Sequence, residues 1–333
     1  MLSMRKQIIL HIGHEKTGST SIQNYLSLNR DKLSSIGVVY PKIGFQDEVH
    51  SSLISSLHEL DNNCSLEFAP SGYSDPGVEW GKLIEYRDAG FEKMILSSEH
   101  FISRMGSRGI KFIRKFLAEE FSEYDVSIIA FLRRQDKCFI SRVSTLVKAG
   151  ATKPYSFWVN EVLEGGGFYD YHTLLEPWSE AFGRTNMLIN EFDKNIDVIN
   201  TFSEIAAIPK FATQDASRKN LSWDPITLEV GLKLNFLCQK MNAVERRKRL
   251  SLVNDFVVRN GINSGRISKN LISQSTARSI LDRYSDSNSK LSFLYNKGVP
   301  IFQSTVESNE YGGELGMLSD DEVMKILFRV IGC

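Results

Sequence analysis

The sequence has few cysteines, no net charge and no long apolar run. Its four cysteines, Cys64, Cys138, Cys238 and Cys333, lie far apart and form no C-x-x-C pair. That spacing argues against a zinc site and a disulfide framework, so we expect reduced thiols. The 40 basic and 40 acidic residues cancel. Global charge therefore gives no reason to expect nucleic acid or an acidic membrane surface as a partner.

Segments that target or anchor a protein are also missing from the pattern. No stretch approaches the roughly 20 apolar residues that cross a bilayer. Arg5 and Lys6 precede an apolar run, but this run is too short for a signal peptide and no small-residue cleavage site follows it. We therefore expect a cytoplasmic protein without a transmembrane segment. Its 333 residues suffice for one elaborated domain or two smaller ones.

A short strand, a glycine-containing loop and a helix stand near the start of the sequence. Residues 8–12 form an apolar, β-branched run, and apolar residues recur at helical spacing after Gly18. The loop between them contains two glycines and Lys16 and leads into a helix N-terminus. Free backbone N–H groups and the positive end of the helix dipole make such a loop suited to bind an anion.

The loop is close to the nucleotide-triphosphate pattern G-x-x-x-x-G-K-[ST] but departs from it at one position. Gly13, Gly18 and Thr20 fit the pattern, whereas Ser19 stands where the pattern requires lysine. The lysine of this sequence, Lys16, lies inside the loop instead. A tight turn with an exposed lysine is the structural alternative.

A second candidate anion site follows the strongest predicted strand, residues 126–132, whose continuous apolar run is typical of a central parallel strand. Arg133 closes this strand, and Ser141 lies on the polar face of the predicted helix that follows. A forked guanidinium and a hydroxyl together can hold a phosphate. The alternative is that Arg133 and Arg134 take part in surface ion pairs.

Glu99 and His100 follow another predicted strand, residues 93–97. Ligand groups gather at the carboxyl ends of strands in open α/β sheets. Adjacent side chains of an extended chain point in different directions, so we expect only one of the two to face the site. A helix N-terminal carboxylate and a satisfied polar histidine are the alternative. His50, at the start of a predicted helix, is a further substrate-binding candidate, although capping is commoner there.

Both anion motifs resemble those of the sulfotransferases that use 3′-phosphoadenosine 5′-phosphosulfate (PAPS). Residues 15–21, EKTGSTS, resemble the family's 5′-phosphosulfate loop, roughly P-K-[ST]-G-[ST]-[ST]. Arg133 and Ser141 have the separation of its 3′-phosphate motif. Residues 132–136, residues 170–178 together with 182–183, and residues 220–222 are similar to blocks of a bacterial sulfotransferase-like group that is often linked to surface polysaccharide. The match covers about residues 7–225.

The resemblance implies a fold and a reaction. The fold is α/β, with a P-loop-type central parallel sheet flanked by helices over residues 1–222. A mostly helical portion, residues 223–333, is expected to pack on that core. The implied reaction moves a sulfonate group from PAPS to a hydroxyl or amine of a carbohydrate-type acceptor. It leaves adenosine 3′,5′-bisphosphate and requires no metal.

The resemblance also implies roles for single residues. Lys16 would stabilise the leaving phosphate, and Glu99 is our first choice for the base, ahead of His100 and His50. Glu99 and His50 would also contact the acceptor. The residues expected to bind the donor are Lys16, Thr17, Gly18, Ser19, Thr20, Ser21, Arg133, Ser141 and Lys219. A P-loop nucleotide kinase or NTPase, and a non-catalytic nucleotide-binding protein of the same fold, are the alternatives.

Overall fold

The structure is a computed structural model that describes residues 5–43, 49–64, 66, 75–165, 167–212, 223, 225–237, 242–260, 271–303, 305–306 and 318–331. The chain forms two compact units. Unit 1 comprises Met1–Arg133, Asp170–Ala216 and Ser287–Phe302; unit 2 comprises Arg134–Tyr169, Ser217–Asp286 and Gln303–Cys333. We expected one boundary near residue 222. The two units instead alternate along the chain. Helical periodicity shows which face of a helix is apolar, but not which core receives that face.

Unit 1 contains a five-stranded parallel sheet, which confirms the predicted fold class. Its strands are β1 (Lys6–His11), β2 (Val38–Val39), β3 (Lys93–Ser97), β4 (Tyr124–Leu132) and β5 (Met187–Glu191). They pair in the order β2-β3-β1-β4-β5, and each neighbouring pair is parallel. Because β3 and β4 lie on opposite sides of β1, the carboxyl end of β1 is where an open α/β sheet binds ligands.

The helices of the described residues flank this sheet or form unit 2. In chain order they are α1 (Ser19–Leu28), α2 (Arg30–Ser34), α3 (Ser51–Asn62), α4 (Pro76–Gly81), α5 (Ile84–Asp88), α6 (His100–Arg104), α7 (Ser107–Glu120), α8 (Gln135–Ala149), α9 (Tyr155–Glu164), α10 (Tyr171–Phe182), α11 (Val198–Ile205), α12 (Pro225–Leu237), α13 (Ala243–Arg259), α14 (Gln274–Arg283), α15 (Ser285–Tyr295) and α16 (Asp320–Ile331).

Alternate residues of β1 belong to different cores, as the period of a strand requires. Ile8 and Leu10 are fully buried in a large apolar cluster that includes residues of α3, α7 and α10. Ile9 faces the other side, where a second cluster includes residues of α1 and α11. Both faces of β1 are therefore covered, which agrees with its continuous apolar run.

The sequence predicts one helix over residues 19–34, whereas the structure has two helices that meet at Asn29. The Asn29 side chain donates a hydrogen bond to the Tyr25 carbonyl oxygen (2.8 Å), and its backbone leaves the helical region (φ −109°, ψ 18°). A side chain that bonds the backbone competes with the hydrogen bonds of the helix itself. The spacing of apolar residues does not reveal that competition.

Unit 2 is helical around a core of its own. Its central helix, α12, has buried residues on all sides and packs against α8, α13 and α16. The buried Glu229 carboxylate accepts a hydrogen bond from the Leu318 backbone N–H (2.8 Å), which ties α12 to the start of α16. Ser319 and Glu322 then cap α16 reciprocally, as in a capping box.

Candidate active site

The β1–α1 loop, residues 12–18, has an unusual backbone. Gly13, Lys16 and Gly18 all have positive φ, at 54°, 68° and 82°. A lysine in this conformation costs about 1–2 kcal/mol, and such strain is concentrated at functional sites. Turns of this kind can also aim backbone N–H groups at one point, as in the nests that bind anions.

Two positions of this loop require glycine for reasons of space as well as of backbone conformation. A Cβ atom at Gly18 would lie 2.9 Å from Phe192 Cε2 and 3.0 Å from a Val198 methyl carbon. At Gly13 it would lie 2.9 Å from Ser19 Oγ and 3.0 Å from Glu99 Cα. The loop is therefore packed closely against its neighbours, so its shape is fixed before any ligand arrives.

The N-terminal turn of helix α1 has no side-chain cap. The N-cap residue is Gly18. The first N–H groups of a helix have no partner within it, and together with the helix dipole they attract an anion. Ser19 is buried, whereas Thr20 and Ser21 are exposed at this end. Thr17 is buried instead, and its hydroxyl donates to the His14 carbonyl oxygen (2.5 Å), which shapes the loop.

Two of the predicted site residues, Arg133 and Glu99, lie beside this loop in unit 1. Arg133 follows β4, and its Nη1 donates to the Lys16 carbonyl oxygen (3.4 Å). Its guanidinium also lies over the ring of Phe192, 5.7 Å from the ring centre. Glu99 follows β3, and its backbone packs against Gly13. Groups from the ends of β1, β3 and β4 are thus brought together.

The charge on Lys16 acts directly on Glu99. Burial is the main cause that raises the pKa of the Glu99 carboxyl group, and the negative charge of Glu15 raises it further. Lys16 and the Ser19 hydroxyl lower it, but burial prevails. Glu99 stands at the N-cap position of α6 without capping it. A largely buried carboxyl group with a raised pKa and a cation among its electrostatic neighbours is a candidate general base.

His100 has different electrostatic neighbours. Burial lowers its pKa, the charge of Glu15 raises it, and the charge of Arg104 lowers it. Lys16 acts on Glu99 but is not among the causes for His100. Glu99 therefore remains our first choice for a base that works beside Lys16, and His100 remains the second.

His50 supports the backbone and does not face a substrate. Its ring is buried, its Nε2 donates to the Pro41 carbonyl oxygen (2.9 Å), and its Nδ1 accepts from the Ser97 backbone N–H (3.0 Å). Burial lowers its pKa to about 4, and the charge of Arg30 adds to this effect. Because neither ring nitrogen remains for a ligand, we no longer propose His50 as a base or substrate contact.

The two adjacent arginines belong to different units. Arg134 forms a bidentate ion pair with Asp136 (2.8 and 3.0 Å), which is fully buried, and it also donates to the carbonyl oxygens of Gln303 and Thr305 (3.2 and 3.0 Å). Arg134 therefore stabilises unit 2. The sequence suggested a surface ion pair as the alternative for this residue, whereas the ion pair in the structure is buried. Arg133 is the arginine beside the β1–α1 loop.

Two further predicted residues have no tested role. Ser141 is half-buried on α8 in unit 2, where its carbonyl oxygen accepts from the Thr145 hydroxyl (3.1 Å). Its joint action with Arg133 stays a prediction. Lys219 lies outside the described residues.

Sequence reasoning missed residues that shape the site. Glu15 accepts a hydrogen bond from the Ser103 hydroxyl (3.1 Å) and lies 3.9 Å from the Arg104 guanidinium. Tyr171 contacts the His14 ring edge to face, with ring centres 5.0 Å apart, and donates to the Arg133 carbonyl oxygen (2.6 Å). Glu15 replaces the proline of the sulfotransferase pattern, a signal that was visible in the sequence. Nothing in the spacing marks Tyr171.

Comparisons with known proteins add little. No protein-family model and no curated protein matches the chain. Among solved structures it is similar to a sulfotransferase from Alicyclobacillus acidocaldarius, with 15% identity and a TM-score of 0.39 over 74% of this chain and 96% of that chain. A likeness at this level supports no statement about family or activity.

The described residues include neither a helix suited to span a membrane nor a cluster of metal-ligating side chains. None of the helices there combines the length and the apolar character that crossing a bilayer requires. No group of three or more His, Cys, Asp or Glu residues in the same part of the chain is arranged to hold a metal ion.

Proposed function

We propose that the protein is a sulfotransferase that moves a sulfonate group from PAPS to a hydroxyl or amine of a carbohydrate-type acceptor. One observation carries the proposal: Glu99 and Arg133 lie beside a strained loop that contains Lys16 and leads into the uncapped N-terminus of α1. The carbohydrate class of the acceptor and the cytoplasmic location rest on the sequence alone.

The residues fit a donor with two phosphate ends. Backbone N–H groups at Gly18, Ser19 and Thr20, with the exposed hydroxyls of Thr20 and Ser21, would hold the 5′ end. Arg133 would hold the 3′-phosphate, with Ser141 as its predicted partner, because a guanidinium binds phosphate in a forked geometry. When bound, this donor supplies an activated sulfonate group with a phosphate as the leaving group.

Lys16 and Glu99 would divide the chemistry between them. The Lys16 ammonium group would neutralise negative charge that develops on the leaving phosphate, as in phosphoryl transfer. Glu99 would accept the proton of the acceptor hydroxyl, because its raised pKa brings it closer to neutral pH than an ordinary carboxyl group. Lys16 belongs to the β1–α1 loop, and the Glu99 backbone packs against Gly13 of the same loop.

The test is transfer of labelled sulfonate from PAPS to a panel of cell-surface glycans. We expect transfer by the wild-type protein and a loss of about 10²–10³-fold in Lys16→Ala, the usual effect of removing a group that stabilises developing charge. Lys111→Ala, an exposed lysine on α7, is the matched control and should retain activity. Phosphoryl transfer from ATP or GTP, with no transfer from PAPS, would instead indicate a kinase.

A further inference from the structure

Glu15 connects the β1–α1 loop to the helix that follows Glu99. Its carboxylate accepts a hydrogen bond from the Ser103 hydroxyl (3.1 Å), and the Arg104 guanidinium lies 3.9 Å away. Both partners are on α6, which begins immediately after Glu99. The Glu15 side chain is only 20% exposed, so its charge is partly shielded from water and acts on its neighbours more strongly than a surface charge would.

The charged and polar groups around Glu99 and Glu15 come from three elements. The loop contributes Glu15 and Lys16, which act in opposite directions, and α1 contributes the Ser19 hydroxyl. His100 and Arg104 on α6 interact with Glu15. Glu15 is thus the negative group that counteracts Lys16 at Glu99.

We propose that Glu15 is a positioning residue: its contacts with Ser103 and Arg104 hold the β1–α1 loop against α6, the helix that begins directly after Glu99, and keep a negative charge at that position. The inference rests on the proposed function, because it gives Glu15 a purpose only if Glu99 is the base. The site would need such a residue. Lys16 alone would favour the ionised carboxylate and make it a weaker base, and Glu15 offsets that effect without contacting the acceptor.

Titration of the Glu99 carboxyl carbon by NMR tests the proposal without any need for activity. The protein is labelled with ¹³C-glutamate, and the Glu99 signal is assigned by its loss in Glu99→Gln. In Glu15→Gln the midpoint of the Glu99 titration should move to lower pH, because a negative neighbour is gone while an amide oxygen can still accept from Ser103. In Lys16→Met the midpoint should move to higher pH.

Two matched variants separate charge from simple structural support. Ser103→Ala removes the hydrogen bond but keeps the Glu15 charge, so the Glu99 midpoint should stay above that of Glu15→Gln. Glu119→Gln removes an exposed carboxylate on α7 and should leave the midpoint unchanged. A Glu99 midpoint that does not move, or that moves upward, in Glu15→Gln would overturn the proposal.

The pH dependence of transfer provides a second readout. In Glu15→Gln the acid limb of the kcat/KM profile should move to lower pH together with the titration, whereas a purely structural role would scale the rate at every pH. A wild-type protein that fails to transfer sulfonate, yet shows the NMR shift, would refute the sulfotransferase and leave the Glu15–Glu99 coupling intact. Transfer with an unmoved acid limb would refute only the role of Glu15.

Discussion

Acid should destabilise the protein through two of its buried histidines, His50 and His11. Burial lowers the pKa of His50 to about 4 and that of His11 to about 3, from the ordinary value of 6.5. Between about pH 4 and pH 6.5, both histidines bind a proton in the unfolded chain but stay neutral in the folded protein. The free energy of unfolding is therefore fully present above pH 6.5 and falls as the pH drops toward the folded values.

The size of the effect follows from the linkage. One pKa unit corresponds to about 1.36 kcal/mol. From neutral pH to about pH 5, each histidine therefore costs about 2 kcal/mol. The pair costs about 4 kcal/mol, a large part of the 5–15 kcal/mol that is typical of a folded protein. Unfolding at about pH 5 should take up about two protons through these rings.

The assay is denaturation by guanidinium chloride at several pH values for the wild type and His50→Gln. The variant loses part of the hydrogen bonding to Pro41 and Ser97 at every pH, but it should lose only about 2 kcal/mol between neutral pH and about pH 5. Lys111→Gln, at an exposed side chain on α7, should lose as much stability on acidification as the wild type. If His50→Gln loses as much stability between neutral pH and about pH 5 as the wild type, His50 is not a buried neutral ring that supports the backbone.

The remaining predictions concern three carboxylates. Asp136→Asn should cost about 3–5 kcal/mol in denaturation experiments, because Arg134 stays buried without its charged partner; an unchanged midpoint would contradict this. Glu99→Gln should abolish transfer yet raise the melting temperature at neutral pH, because a carboxyl group with a raised pKa is destabilising when ionised; a lower melting temperature would oppose the interpretation. Asp61→Ala should lower the free energy of unfolding by about 1–2 kcal/mol in the same denaturation experiments, because the Asp61 carboxylate accepts hydrogen bonds from three backbone N–H groups at the start of α7.

Local patterns in the sequence were enough to predict the parallel sheet and the strand ends at which the candidate residues lie. The apolar runs of β1, β3 and β4 and the glycines around Lys16 are short-range signals, and they placed Lys16, Glu99 and Arg133 at strand ends. Contacts between distant segments were out of reach. His50 lies beside polar neighbours in sequence, but its role depends on Pro41 and Ser97. The alternation of the two units likewise depends on packing that no local pattern encodes.

The central claim is that one nucleotide with two phosphate ends binds across the ends of β1 and β4. Calorimetry with adenosine 3′,5′-bisphosphate, adenosine 5′-monophosphate, ATP and GTP tests it most directly. The wild type should prefer the bisphosphate. Arg133→Ala should lose about 10–100-fold in affinity for it, the value of a charge-assisted hydrogen bond. Arg278→Ala, at an exposed arginine, should lose nothing. Equal affinity of Arg133→Ala and wild type, or a wild type that prefers ATP or GTP, would contradict the account.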